Sequence, residues 1–158
     1  MSYDFNADEV FAMAEQLERN GANFYRSAAE KTGDSANKDF LLELAAMEDD
    51  HEKTFKAMRA DLTAKEKEST VFDPQGEAAA YLKALVDTRV FFEKEIDLSS
   101  MKAILKSAIE AEKDSIVFYL GMKEAVAESL GQGRLDGIIK EEMGHISLLS
   151  KKLVAYRD

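Results

Sequence analysis

The 158-residue chain has no cysteine and no tryptophan, a single proline (Pro74) and two histidines. Without cysteine there is no disulfide framework, no thiolate zinc site, no rubredoxin-type iron centre and no cysteine nucleophile. That composition suits a reducing compartment, and the cytoplasm is the expected location. One Pro and eight Gly leave few points at which a helix must break. Basic residues are in the minority, 21 Lys+Arg against 31 Asp+Glu for a net charge of -10. No Lys/Arg cluster carries interleaved aromatics, so nucleic acid is not expected as a partner. No apolar run approaches the roughly 18–20 residues of a membrane span. The opening Met1–Phe5 is neither basic nor apolar enough for a signal peptide.

What the chain does contain is helical periodicity. Apolar residues recur at alternating steps of three and four, and 46% hydrophobic with 33% charged residues describes a folded globular protein. The first helix presents Phe11, Ala14, Glu18, Gly21, Tyr25 and Ala28 on one face, with Asn6 as N-cap and Gly33 as stop. The second starts near Ser35 and presents Leu41, Leu44, Glu48, His51, Phe55, Met58 and Leu62. Residues 63–76 are polar and end in Asp73-Pro74-Gln75-Gly76, a linker; a short amphipathic helix is expected over about Glu77–Phe92, with Ala80, Leu82, Leu85 and Val86. The third long helix, capped by Ser99 or Ser100, presents Leu105, Ala108, Glu112, Ser115, Tyr119, Met122 and Val126, and Gly131-Gln132-Gly133 closes it. The fourth presents Leu135, Ile138, Glu142, His145, Leu149, Lys152 and Tyr156. Short links make two antiparallel hairpins, about 6–62 and 99–157, joined by a crossover over 63–98. The expected fold is a single all-α domain, 1–158: an antiparallel four-helix bundle whose long crossover contains a short extra helix.

The inward stripes hold charge where a core should be apolar. Two helices bring one carboxylate each, Glu18 and Glu112, and two bring a Glu-x-x-His pair, Glu48 with His51 and Glu142 with His145. Gathering four carboxylates in a dry interior costs hydration and incurs mutual repulsion. No Lys or Arg lies at matching depth in the stripes, whereas two divalent cations would balance four carboxylates. Residues three apart on a helix share a face at about 5–6 Å, so each Glu and His can reach one metal cluster. A shift of 94 positions carries Glu18 to Glu112, Glu48 to Glu142, His51 to His145 and Phe24-Tyr25 to Phe118-Tyr119. Both histidines of the chain follow a Glu by three, a coincidence of roughly 1 in 80 on composition alone. Two similar hairpins about a pseudo-twofold axis would bring both sets together.

This arrangement resembles the ferritin-like di-iron carboxylate proteins, and among them the rubrerythrin family. The resemblance implies two metal ions per chain, iron first, with manganese or zinc as alternatives. Carried over, Glu18 and Glu112 are terminal carboxylates, Glu48 and Glu142 bridge the metals, and His51 and His145 supply one nitrogen to each. Tyr25 and Tyr119 are expected beside the cluster, hydrogen-bonded to ligand carboxylates. Rubrerythrins proper carry a further Glu three residues after the third-helix ligand, where this chain has Ser115; the symmetrical position is Gly21. They also carry a Cys-rich rubredoxin module as electron donor, which these 158 residues lack, so an external electron-donor protein is implied. The resemblance further implies a homodimer and hydrogen peroxide or dioxygen as the small-molecule partner.

The remaining acidic and methionine residues near the motifs are expected to play bland roles. Glu15, Asp49, Asp50 and Glu141 should be solvated, Glu110 should face elsewhere, and Met47 and Met143 should pack. The favoured activity is reduction of peroxide or dioxygen with oxidation of bound Fe(II). Iron storage or carriage without turnover, and a purely structural metal pair, are the alternatives.

Overall fold

The computed structural model describes residues 6–62, 77, 80–82, 84, 97–125 and 131–156. Four long helices account for nearly all of them: α1 (Ala7–Lys31), α2 (Ser35–Ala60), α3 (Met101–Ala125) and α4 (Gln132–Val154). No strand occurs among the described residues. The polar linker 63–76 lies outside them, as do Leu85, Val86 and Val126. A short helix does lie in the crossover, and its described positions 77, 80–82 and 84 are helical.

Local chemistry explains the ends. Asn6 accepts from Glu9 N at 2.8 Å while the Glu9 carboxylate accepts from Asn6 N at 3.2 Å, a reciprocal cap that satisfies two N–H groups. Asp34 caps α2 through Asn37 N at 2.8 Å, and Ser100 Oγ accepts from Ala103 N at 3.1 Å before α3. One glycine expectation needs correction. Gly33 is not a left-handed stop: Thr32 ends α1 in extended backbone (φ -85, ψ 134), its N–H donating to Ala28 O. At Gly131-Gln132-Gly133 the described residues show the start of α4. Gly131 is the N-cap with φ 104, and a Cβ there would lie 2.8 Å from Met58 Cε.

The three-residue link between α1 and α2 makes them an antiparallel hairpin, and α3 pairs with α4 in the same way; α1 and α3 join the hairpins. Apolar residues fill the two ends of the bundle. One end holds Phe11, Phe55, Tyr119, Met122, Leu135 and the crossover's Leu82; the other holds Tyr25, Leu41, Leu44, Ile104, Leu105 and Leu149. The layer between them is polar. Ion pairs of Arg19 with Glu52, Arg26 with Asp49 and Arg59 with Asp8 tie α1 to α2 from outside, each worth little by itself at such exposure.

The crossover helix is seated by a close approach. A Cβ on Gly121 would come within 2.4 Å of Tyr81 Cε1 and 3.3 Å of Leu82 Cδ2, and the Tyr81 hydroxyl donates to Val117 O at 3.1 Å. Gly121→Ala should therefore cost about 1–3 kcal/mol from overpacking. In a Tyr81→Ala background the same change should be neutral or stabilising by about 0.5–1 kcal/mol, the ordinary helix preference of Ala over Gly. Urea unfolding of the four members of this cycle measures the coupling.

Candidate metal centre

Every residue predicted for the centre meets its partners in the polar layer. Glu18 on α1, Glu48 and His51 on α2, Glu112 on α3, and Glu142 and His145 on α4 are all buried, Glu142 completely. They form two overlapping groups, Glu18–Glu48–His51–Glu142 and Glu48–Glu112–Glu142–His145, whose donor atoms lie within 4.8 Å of one another. Glu48 and Glu142 belong to both. His51 Nδ1 lies 3.4 Å from Glu18, 3.7 Å from Glu48 and 3.0 Å from Glu142. His145 Nδ1 lies 3.1 Å from Glu48, 3.5 Å from Glu112 and 3.2 Å from Glu142. The two imidazoles stack, with centroids 5.6 Å apart and planes inclined by 17°.

The bonding of these atoms is more telling than their proximity. Glu18 Oε2, Glu48 Oε1, both oxygens of Glu142 and Nδ1 of both histidines are buried without a hydrogen-bond partner. Atoms 3.0–3.7 Å apart that fail to bond are aimed at common points rather than at each other. Six orphaned buried polar atoms would cost several kcal/mol each in an apolar setting. Divalent cations ligated by these oxygens and nitrogens would satisfy all six, so the residues fit a metal pair. Among the described residues no Lys or Arg is buried that could serve instead.

Without metal, protons carry the balance. Burial, then the neighbouring carboxylates, push Glu18 and Glu112 well above the usual carboxylate range. Burial opposes charge on the histidines, but their carboxylate neighbours outweigh it. His51 is strongly raised by Glu142, Glu18 and Glu48, and His145 is pushed up to about 12 by Glu112, Glu142 and Glu48. Burial also works against ionised Glu48 and Glu142, yet contacts with the terminal carboxyls and the histidines hold both below the usual range. Protons on the imidazoles thus offset the carboxylate charge in the empty layer.

The tyrosines cross between hairpins. Tyr25 on α1 donates to Glu112 Oε1 on α3 at 2.5 Å, and Tyr119 on α3 donates to Glu18 Oε1 on α1. Burial, then the facing carboxylate, raises both phenols well above their ordinary value, so both remain donors. Each therefore fixes one oxygen of a terminal carboxylate; in Glu18 the other oxygen, Oε2, faces His51 at 3.4 Å, whereas in Glu112 the Tyr25-bound Oε1 is itself the atom 3.5 Å from His145. Tyr119→Phe keeps the ring and strands a buried Glu18 oxygen. We expect a loss of about 1–3 kcal/mol in denaturant unfolding of the metal-free protein.

The surroundings depart from expectation in four places. Glu15 is buried, not solvated: Arg59, which pairs bidentately with Asp8, also reaches it at 3.4 Å from the end of α2. Glu141 is exposed as expected, but its Oε2 lies 2.6 Å from Nε2 of His51, a contact the sequence did not suggest. Met47 and Met143 are 40% and 57% exposed and so do not pack into the core. Asp50 and Glu110 are exposed and pair with Lys53 and Lys113, and Asp49 pairs with Arg26. At the positions that lack a further carboxylate, Ser115 Oγ bonds back to Ala111 O at 3.1 Å, and Gly21 packs 3.5 Å from Glu48 Cγ.

A four-helix bundle with one long crossover, gathering a Glu from each of two helices and Glu-x-x-His from each of the others, is of the ferritin-like type. A solved structure from Thermotoga maritima, described as a ferritin-like diiron-carboxylate protein, shares the fold. It matches with a TM-score of 0.69 and 24% identity over 97% of this chain and 97% of its own. The chain belongs to the rubrerythrin family, whose family model matches residues 9–153. No curated protein matches. Among the described residues no helix is long and apolar enough to cross a membrane.

Proposed function

We propose that this protein is a di-iron oxidoreductase of rubrerythrin type, reducing hydrogen peroxide or dioxygen with oxidation of bound Fe(II). The observation that carries the reading is the set of six inward, unbonded donor atoms arranged in two groups that share Glu48 and Glu142. Glu18 and His51 would hold one ion, Glu112 and His145 the other, with Glu48 and Glu142 common to both. Four carboxylates and two imidazoles suit iron or manganese, and zinc can occupy the same donors. An iron pair held by these residues would supply the two electrons that reduction of the oxidant requires.

The chain's own residues shape that chemistry. The apolar ends exclude bulk water from the layer, which strengthens each electrostatic contact within it. Tyr25 and Tyr119 hold the terminal carboxylates and keep their own protons. No cysteine is available for a rubredoxin-type centre, so electrons to restore the reduced state come from outside these residues. A homodimer is the assembly we propose, on family grounds.

Anaerobic titration of metal-free protein with ferrous iron, followed by separate mixing with peroxide and with dioxygen, tests the reading. Saturation near two irons per chain and faster oxidation by peroxide are expected. Saturation at one or none defeats the paired centre. Retention of many irons per chain in a large assembly would make it a store, and stabilisation by zinc with no oxidant chemistry would make the metals structural.

A further inference from the structure

The 94-residue repeat is kept at every inward ligand position and broken at the outward position that meets His51. His51 turns Nδ1 into the cluster while its Nε2 meets Oε2 of Glu141 at 2.6 Å. The same shift that relates His51 to His145 relates Glu141 to Met47, since 141 minus 94 is 47. The side chain that the pseudo-twofold axis offers to His145 is thus a thioether, a weak acceptor that carries no charge. Among the described residues the recorded ion-pair contacts of His145 all run from Nδ1.

We propose that Glu141 is a positioning residue that makes the two metal positions unequal. Its carboxylate accepts the Nε2–H proton of His51, which locks the ring plane and keeps that proton on Nε2, so that on loading the metal displaces the Nδ1 proton and Nδ1 is the free donor. The group built on Glu18 and His51 then holds its ion more tightly than the group built on Glu112 and His145. The inference rests on the cluster being a paired metal centre and adds to it an order of loading. A charged acceptor on the far nitrogen of a ligating histidine is worth roughly 10–100-fold in metal affinity. Glu141 sits outside the core, with a side chain 64% exposed, so its removal opens no cavity.

Because the chain has only two histidines, histidine-selective 15N labelling gives a spectrum simple enough to decide the matter. The probe is zinc, added stepwise to metal-free protein. Wild type should show two binding steps, with His51 filling first and its Nε2–H proton downfield of that of His145. Glu141→Ala should bring the two signals together and weaken the first step by about tenfold or more, while circular dichroism stays unchanged. Met47→Glu should shift the His145 signal downfield and bring the two affinities closer. Two zincs binding with equivalent steps, or a His51 signal that ignores Glu141→Ala, would refute the role of Glu141 and leave the paired centre standing. If no zinc is retained and neither histidine responds, the centre itself fails and this inference falls with it.

Discussion

Glu142→Ala should abolish paired metal binding and, with it, all metal-dependent stabilisation. Glu142 is the most enclosed of the six, and each of its oxygens serves one group: Oε1 lies 3.0 Å from His51 Nδ1 and Oε2 3.2 Å from His145 Nδ1. Glu142 belongs to both groups, so its removal strips one donor from each at once. A metal at a thousand times its dissociation constant stabilises the folded state by about 4 kcal/mol per site. For a domain of this size each kcal/mol moves the midpoint by about 2–4 °C. Wild type should therefore melt at least about 10 °C higher with saturating Fe(II) or zinc, and Glu142→Ala should show almost none of that gain. Glu110→Ala, at an exposed position paired with Lys113, serves as control and should keep it. Scanning calorimetry with and without metal makes the comparison. A variant that still binds two ions with undiminished gain would remove Glu142 from the centre.

The second large effect is a pH dependence of opposite sign for the empty and filled protein. In the empty protein His51 and His145 hold protons far above the ordinary histidine value of 6.5, and Glu18 and Glu112 far above the ordinary glutamate value of 4.5. A group whose folded value is raised contributes stability that is complete below its unfolded value and is lost as pH climbs toward the folded one. The two glutamates therefore begin to lose their contribution above about 4.5 and the histidines above about 6.5. Glu48 and Glu142, held low, add stability above about 4.5 that fades only in stronger acid. The empty protein should be most stable between about pH 4.5 and 6.5 and weaken steadily through pH 9. Metal binding must expel these protons, so the gain on loading should grow over the same range. Thermal melts of both forms from about pH 5 to 9 should converge in acid and diverge in base. Parallel curves would mean that the histidines do not hold protons in the empty layer.

The sequence carried the fold and the six inward residues because both are written in periodicity. Glu48 and His51 share a face at spacing three, and the 94-residue shift repeats the pattern, so no tertiary knowledge is needed to bring them together. What it did not carry depends on contacts between helices. Glu15 reads as a surface residue on α1, but in the fold it is buried and Arg59 reaches it from α2. Glu141 points outward on its own helix and finds His51 on another; the broken repeat at Met47 was the available clue. Gly33 misled because a helix can end without a left-handed glycine, as α1 does at Thr32.

The crossed tyrosines give the two hairpins a reciprocal dependence. Neither half can orient its own terminal carboxylate, because the hydroxyl that does so stands about a hundred residues away in the other half: Tyr25 serves Glu112 and Tyr119 serves Glu18. A severed hairpin would keep its Glu-x-x-His and lose the aim of its remaining acid. Restoring it requires a complementary half of like design, supplied in the same chain or on another, so the assembly works as a handshake in which each side completes the other's grip.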